Sequence, residues 1–197
     1  MYPRFECKKL DEYHGLYCGR LPEEILPDEA GFEALWNMHP GEFHEISIHG
    51  RRVKTPRWQQ AYGRDYHYTG RTNTALPVSD QLAPFLRWAC EAIDSRLNGI
   101  LLNWYDGSLG HYIGKHRDSI ANMVHGAPIV TISLGAERIF RLRPWKSTGS
   151  PIDLAAINGA VIIMPFDTNL VWTHEVPKSA RQLGRRISVT LRAFGKD

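Results

Sequence analysis

Two hydrophobic rhythms divide this chain. In SDQLAPFLRWACEAIDSRLNG, residues 79–99, Leu82, Phe85, Leu86, Ala89 and Ile93 recur at helical spacing. Ser79 reads as the N-cap, Pro84 fits an early turn, and Gly99 reads as the stop. From Ile100 the period falls to two. ILLNWY, PIVTISL, ERIFRLR, AVIIMPF, LVWTHEV and RRISVTLRAF each predict a strand, with turn-like segments such as DGSLG, KSTGSP and NGA between them. Many strands without intervening helices predict an antiparallel sandwich or barrel. Upstream, PDEAGFEALWNM predicts a short helix capped by Asp28, with Phe32, Leu35 and Trp36 on one face. Residues 40–78 predict short strands and loops.

Composition narrows the class. At 197 residues and 43% hydrophobic, the chain is long and apolar enough for one domain with a substantial core. There is no internal repeat, and no composition shift marks a linker. The longest apolar runs, such as AVIIMPF, are too short to span a bilayer, so no membrane is expected. The N-terminus MYPRFECKKLDEYHG lacks the apolar stretch of a secretory signal. Cys7, Cys18 and Cys90 are far apart and odd in number, which predicts a reducing, intracellular setting, cytoplasmic or nuclear. A monomer is expected. The net charge of +3 is unevenly placed: residues 1–45 carry four Lys/Arg against ten Asp/Glu, and residues 46–197 carry twenty against eleven. A basic body of this kind points towards a polyanionic partner.

The candidate chemistry begins in HYIGKHRDSI, residues 111–120. On a strand, residues two apart share a face, so His116 and Asp118 would aim at one ion with their Cα atoms about 6–7 Å apart. His174, in a later strand, is the best third ligand. Two His and one carboxylate leave positions open on an ion and suit non-haem Fe(II) oxygen chemistry. Spacing alone leaves a surface hydrogen-bonded pair as the alternative. His111, His125, His39, His44 and His49 remain possible ligands without a carboxylate in register.

The last strand adds a second constraint. Ile187, Val189, Leu191 and Ala193 form one face of RRISVTLRAF, and Arg186, Ser188, Thr190 and Arg192 form the other. Two arginines on one face of a central strand need anions. The partner is either an internal acid or a carboxylate ligand held by the guanidinium fork, as a 2-oxo dicarboxylic acid would be.

His116-x-Asp118, a distant His174, and Arg186 and Arg192 six apart resemble the AlkB family of Fe(II)- and 2-oxoglutarate-dependent dioxygenases. The match takes in Asn103-Trp104-Tyr105-Asp106-Gly107, PIVTISLG, Phe140, NGAVIIM and HEVP, in the family's order, over roughly residues 46–194. The resemblance implies an α+β chain on a double-stranded β-helix (jelly-roll, cupin-like) core with N-terminal helices and a nucleotide-recognition lid. On that expectation residues 1–197 form a single dioxygenase domain. Residues 1–45 would be an acidic N-terminal segment, 46–78 the substrate lid, 79–98 a supporting helix and 99–197 the catalytic β core. His116, Asp118 and His174 would be the iron ligands and carry catalysis. Arg186 and Arg192 would engage 2-oxoglutarate, with Asn103, Tyr105 and Thr190 lining its site. With O2, oxidative decarboxylation to succinate and CO2 would be coupled to hydroxylation of an alkyl carbon. If that carbon sits on a base nitrogen, the product collapses to an aldehyde and the repaired base.

The stretch SIHGRRVKTPRWQQAYGRDYHYTG, residues 47–70, interleaves Arg51, Arg52, Lys54, Arg57 and Arg64 with Trp58, Tyr62, Tyr66 and Tyr68, and there is no acid between Glu45 and Asp65. Cations meet phosphates and aromatic faces stack on bases. PRWQQAYG and YHYTG resemble the lid of the DNA-repair branch, closest to its nuclear animal enzymes. On that match Tyr66 and Tyr68 border a flipped base, Arg57 faces the nucleic acid, and His49 sits where the family carries an aromatic wedge. Several members place an acid two positions after the metal-binding Asp; Ile120 stands there and cannot accept a hydrogen bond from an exocyclic amino group. The expected partner is alkylated DNA, with RNA as a second substrate class. Two other readings stay open: an oxygenase of the same mechanism acting on a protein, an RNA modification or a small molecule, and a non-catalytic nucleic-acid-binding β domain.

Overall fold

The computed structural model describes residues 2, 4–48, 50–68, 71–146 and 148–195. The chain enters through a hairpin, β1 (Glu6–Lys9) and β2 (Gly15–Arg20), and then a helix, α1 (Glu29–Trp36). Short strands follow: β3 (Glu45–Ile48), β4 (Arg51–Lys54), β5 (Trp58–Tyr62), β6 (Tyr66–Tyr68) and β7 (Arg71–Asn73). After α2 (Ala83–Ala92) come β8 (Gly99–Asp106), β9 (Ile113–His116), β10 (Ile129–Gly135), β11 (Arg138–Pro144), β12 (Ile152–Ala156) and β13 (Ala160–Met164). A short helix, α3 (Phe166–Val171), leads into β14 (Trp172–Val176), and β15 (Arg185–Arg192) closes the chain.

Seven strands form the major sheet in the order β1-β2-β13-β10-β15-β8-β5, and four form the minor sheet in the order β12-β11-β14-β9. All named pairings are antiparallel. The two faces of the major sheet have different company. Leu102 and Trp104, with Val130, Ile132, Ile187, Val189 and Leu191, pack with Leu35 and Trp36 of α1 and with Phe85 and Ala89 of α2. The alternate residues Leu101, Ile129, Ile162 and Met164 pack with Phe140, Leu142, Leu154 and Trp172 of the minor sheet. This is a jelly roll with helices on the outer face of its larger sheet. The period of two read from the sequence is this division between helix layer and sandwich interior. Among the described residues no helix is long and apolar enough to cross a membrane.

Several elements differ from the sequence expectation. The N-terminal segment adds a hairpin that extends the major sheet through pairing of β2 with β13, Cys18 opposite Ile162. The stretch 46–78 is not all peripheral, because β5 pairs with β8 along its whole length. Ser79 does not cap the helix: Leu82 is the N-cap, and the Ser79 carbonyl instead accepts from Leu82 and Ala83 N–H in a preceding turn. The helix ends at Ala92, well before Gly99. Asp94 Oδ1 accepts from Arg96 N at 3.0 Å and its carboxylate holds the Arg96 guanidinium, a local arrangement that competes with further helix. Gly99 begins β8. Phe166, Leu170 and Val171 were expected in strands and belong to α3, with Pro165 at its N-cap. The Asp28 cap is as expected, its Oδ1 accepting from Gly31 N at 2.8 Å.

Candidate metal centre and its cavity

β9 and β14 are neighbours in the minor sheet, and His116 lies directly opposite His174. Asp118 lies two residues beyond His116, where β9 has already ended, so the two do not share a strand face as the spacing implied. The chain turns there because Asn169 of α3 clamps it: Asp118 N donates to Asn169 Oδ1 at 2.9 Å and Asn169 Nδ2 donates to Asp118 O at 3.1 Å. The turn carries the Asp118 carboxylate to both imidazoles. His116 Nε2 and His174 Nε2 stand 3.4 and 3.5 Å from Asp118 Oδ1. One ligand atom from each of the three residues lies within 4.8 Å of the others.

The donor chemistry of these three suits a divalent metal. His116 Nδ1 is 2.8 Å from the Gly114 carbonyl, which can only accept, so the proton sits on Nδ1 and Nε2 presents its lone pair. Burial, followed by the nearby His116, lowers the His174 pKa to about 3, which keeps its ring neutral. Burial alone would raise the Asp118 pKa; Arg192, His174 and His116 outweigh it and hold the carboxyl well below its usual range. Asp118 divides its oxygens. Oδ2 accepts from Arg192 Nε at 3.1 Å and Nη2 at 2.5 Å, while Oδ1 faces the histidines. A single carboxylate oxygen and two imidazole nitrogens on one side of an ion form the facial set of non-haem Fe(II) centres. His111 is not part of it: its Nδ1 accepts from Asp106 N, and it packs against Phe43 and Trp58.

Behind the triad runs a cavity of about 40 Å³. It is lined by Tyr66, Tyr68, Asn103, Tyr105, His116, Asp118, His174, Arg186, Thr190 and Arg192, and also by Arg57. Ile120, expected to touch the substrate, is not on this wall. Ile120 is 44% exposed and borders an outer cavity; His49 lies outside the described residues.

Arg186, 1% exposed, is the strongest anion signal. Its Nε donates to Ser133 Oγ at 2.8 Å, and its Nη1 and Nη2 have no partner among the described residues. Burial lowers its pKa to about 10, partly offset by Tyr105, whose ring centre is 5.1 Å from the guanidinium. A buried guanidinium whose two terminal nitrogens lack partners among the described residues suits an anionic ligand. Ser133, which aims Arg186, was not foreseen; its only sequence signal is its place in PIVTISLG.

Arg192 pairs with the internal acid Asp118 and also lines the cavity. Arg57 lines the same cavity and is 4% exposed; it donates from Nε to Asn103 Oδ1 at 2.7 Å and from Nη2 to Gln59 Oε1 at 3.0 Å. It stands immediately before β5, and its two partners lie on β8 and β5 of the major sheet. The contact has a consequence for Asn103. With Oδ1 taken by a cation, the amide nitrogen is the group left for a ligand, so this wall presents N–H donors.

Tyr66 is buried and its phenol pKa is raised by that burial, then by Asp118. Its ring stacks on Tyr68 at 6.1 Å, and Arg192 lies 4.6 Å over it. Tyr68 is half-buried and meets His116 edge-on at 6.1 Å. An aromatic wall therefore stands directly beside the triad.

This combination defines a class, and comparison with known proteins agrees. The 2OG-Fe(II) oxygenase superfamily matches residues 28–192. The chain belongs to that superfamily and is AlkB-like. Among its relatives is the mouse DNA oxidative demethylase ALKBH2, 30% identical over 162 residues that cover 77% of this chain and 67% of the relative. The human ALKBH2 is 29% identical over 162 residues, covering 77% and 62%, and the Arabidopsis thaliana ALKBH2 is 31% identical over 120 residues, covering 50% and 38%. The chain thus spans about two thirds or less of the length of these relatives. A solved structure described as OsALKBH1 shares the fold, with a TM-score of 0.56 at 14% identity over 95% of this chain and 99% of that one.

Proposed function

We propose that this protein carries out Fe(II)- and 2-oxoglutarate-dependent oxidative dealkylation of N-alkylated bases in DNA. The observation that carries the reading is one cavity lined both by a two-His-one-carboxylate triad and by Arg186, whose Nη1 and Nη2 have no partner among the described residues. The relatives named DNA oxidative demethylase support the substrate class. Iron and 2-oxoglutarate, when bound, supply the oxidation: one oxygen of O2 leaves in succinate and the other goes to the alkyl carbon.

The remaining work belongs to the side chains. His116 Nε2, His174 Nε2 and Asp118 Oδ1 would hold the iron, and Arg192 keeps Asp118 Oδ1 turned to it. Arg186, aimed by Ser133, would take the far carboxylate of 2-oxoglutarate, with the Asn103 amide, Tyr105 and Thr190 along its length. The target base would lie against Tyr68 and Tyr66. Ile120 gives the mouth an apolar edge, which favours adducts that need no acceptor at that position. Collapse of the hydroxyalkyl product to aldehyde and free base is the base's own chemistry and needs no further side chain.

The test is anaerobic addition of Fe(II) and 2-oxoglutarate to the purified chain. The proposal expects a visible metal-to-ligand charge-transfer absorption, lost in Arg186→Met. A colourless wild-type mixture overturns it.

A further inference from the structure

Outside the triad cavity lies a second, larger one of about 430 Å³. It shares Tyr68, His116 and Asp118 with the inner cavity and adds Lys115, Ile120 and Trp145. It therefore adjoins the triad on its outer side, as a vestibule to it. Its only carboxylate is Asp118, whose charge is met by Arg192. The exposed Lys115 and the half-buried Arg117 leave the vestibule net positive.

Trp145 is held in place rather than loose. Its backbone N–H donates to Val171 O at 2.8 Å. The Arg117 guanidinium lies 4.2 Å from the centre of the indole ring and is itself tied down by an Nη1 hydrogen bond to Leu170 O at 2.6 Å. Yet 42% of the Trp145 surface is open. A large aromatic side chain braced from behind and exposed beside an active site contributes nothing to the core. Exposing it costs free energy unless a flat ligand covers it.

Resting on the proposed action on nucleic acid, we propose that Trp145 is a stacking platform for the nucleobase next to the target in the same strand. Lys115 then meets that nucleotide's phosphate, and Arg117 is the brace behind the indole. The vestibule's two aromatic walls have separate tasks: Tyr68 borders the target base at the iron, and Trp145 seats its neighbour. Because every base has a π face, the platform tolerates any neighbouring base and favours an unpaired strand.

The test is binding, read by fluorescence anisotropy with redox-silent Mn(II) and 2-oxoglutarate. One probe is a five-nucleotide DNA with a central N-methylated base; the other, read by competition, is the methylated mononucleotide alone. Trp145→Ala weakens the five-nucleotide probe about 5- to 150-fold, the loss of one base–aromatic stack, and leaves the mononucleotide where it was. Trp145→Phe, which keeps a ring, recovers most of the affinity. Lys115→Ala, at an exposed strand position, provides a second reading: weaker binding with a salt slope reduced by about one. Unchanged five-nucleotide affinity in Trp145→Ala, or an equal loss for both probes, overturns the platform alone. A wild-type protein that binds neither probe overturns the proposed function together with it.

Discussion

Arg186→Met should make the metal-free protein more stable and less able to bind 2-oxoglutarate. In the wild type, Nη1 and Nη2 are buried without partners among the described residues while Nε bonds Ser133. Each unsatisfied buried donor costs about 1–3 kcal/mol. The cavity of about 40 Å³ has room for a few waters, so the lower end of that range applies. Methionine fills much of the same space without donors. Deleting two half-solvated donors gains about 2–3 kcal/mol, and losing the Ser133 hydrogen bond returns about 1 kcal/mol. The net gain of about 1–2 kcal/mol corresponds to a Tm rise of about 2–8 °C for a chain of this size. Adding Mn(II) and 2-oxoglutarate at about 100 times Kd stabilises the wild type by about 2.7 kcal/mol and leaves the variant unmoved. The assay is thermal unfolding of both proteins, each with and without the pair. A variant that melts below the metal-free wild type would show that Arg186 is already satisfied by the protein, and one that keeps the ligand-dependent rise would show that Arg186 does not hold the ligand.

Arg192→Met frees Asp118 Oδ2 and lets the carboxylate turn, so Fe(II) affinity falls about 10- to 100-fold; an anaerobic metal titration with unchanged Kd counts against this. The depressed pKa of His174, about 3, means that the unfolded chain takes up its proton first as pH falls. The stability that the neutral ring contributes is complete above about pH 6.5 and is lost as pH drops towards 3; the depressed Asp118 adds a loss of the same sign at lower pH. Denaturant midpoints of the metal-free protein should fall steadily through that window, and a flat profile would contradict it. Gly135→Ala, at φ +82°, puts a Cβ 2.5 Å from Arg185 O and 2.6 Å from Phe32 Cε2. The strain and overpacking cost about 2–4 kcal/mol, checked by a lowered urea midpoint. Ile120→Asp supplies an acceptor at the mouth and should raise the preference for methylated bases with an exocyclic amino group about fivefold, one hydrogen bond's worth; competition between two modified oligonucleotides reads it directly.

The fold was legible where pattern and packing agree. Alternation in β8, β10 and β15 marks which residues meet the helices and which meet the minor sheet, and that same alternation sets Arg186, Ser188, Thr190 and Arg192 on the cavity side. The hairpin β1–β2 was not legible, because its burial is supplied by β13 from the far end of the chain. His116 and Asp118 converge through the Asn169 clamp rather than through strand period, and no local signal announces a residue 51 positions away as the clamp. Arg57 and Arg192 show the limit of reading charge from sequence. Both are cations at the expected place, but one turns inward to amides and the other to Asp118, and only tertiary partners decide which way a long side chain points.

The most direct measurement is aldehyde release from an N-methylated oligonucleotide, followed together with succinate under air. Oxidative dealkylation should give formaldehyde and succinate in equal amounts, dependent on Fe(II) and 2-oxoglutarate and abolished in His116→Ala, with the unmethylated base recovered. Succinate formed without formaldehyde on every alkylated single- and double-stranded substrate would contradict it.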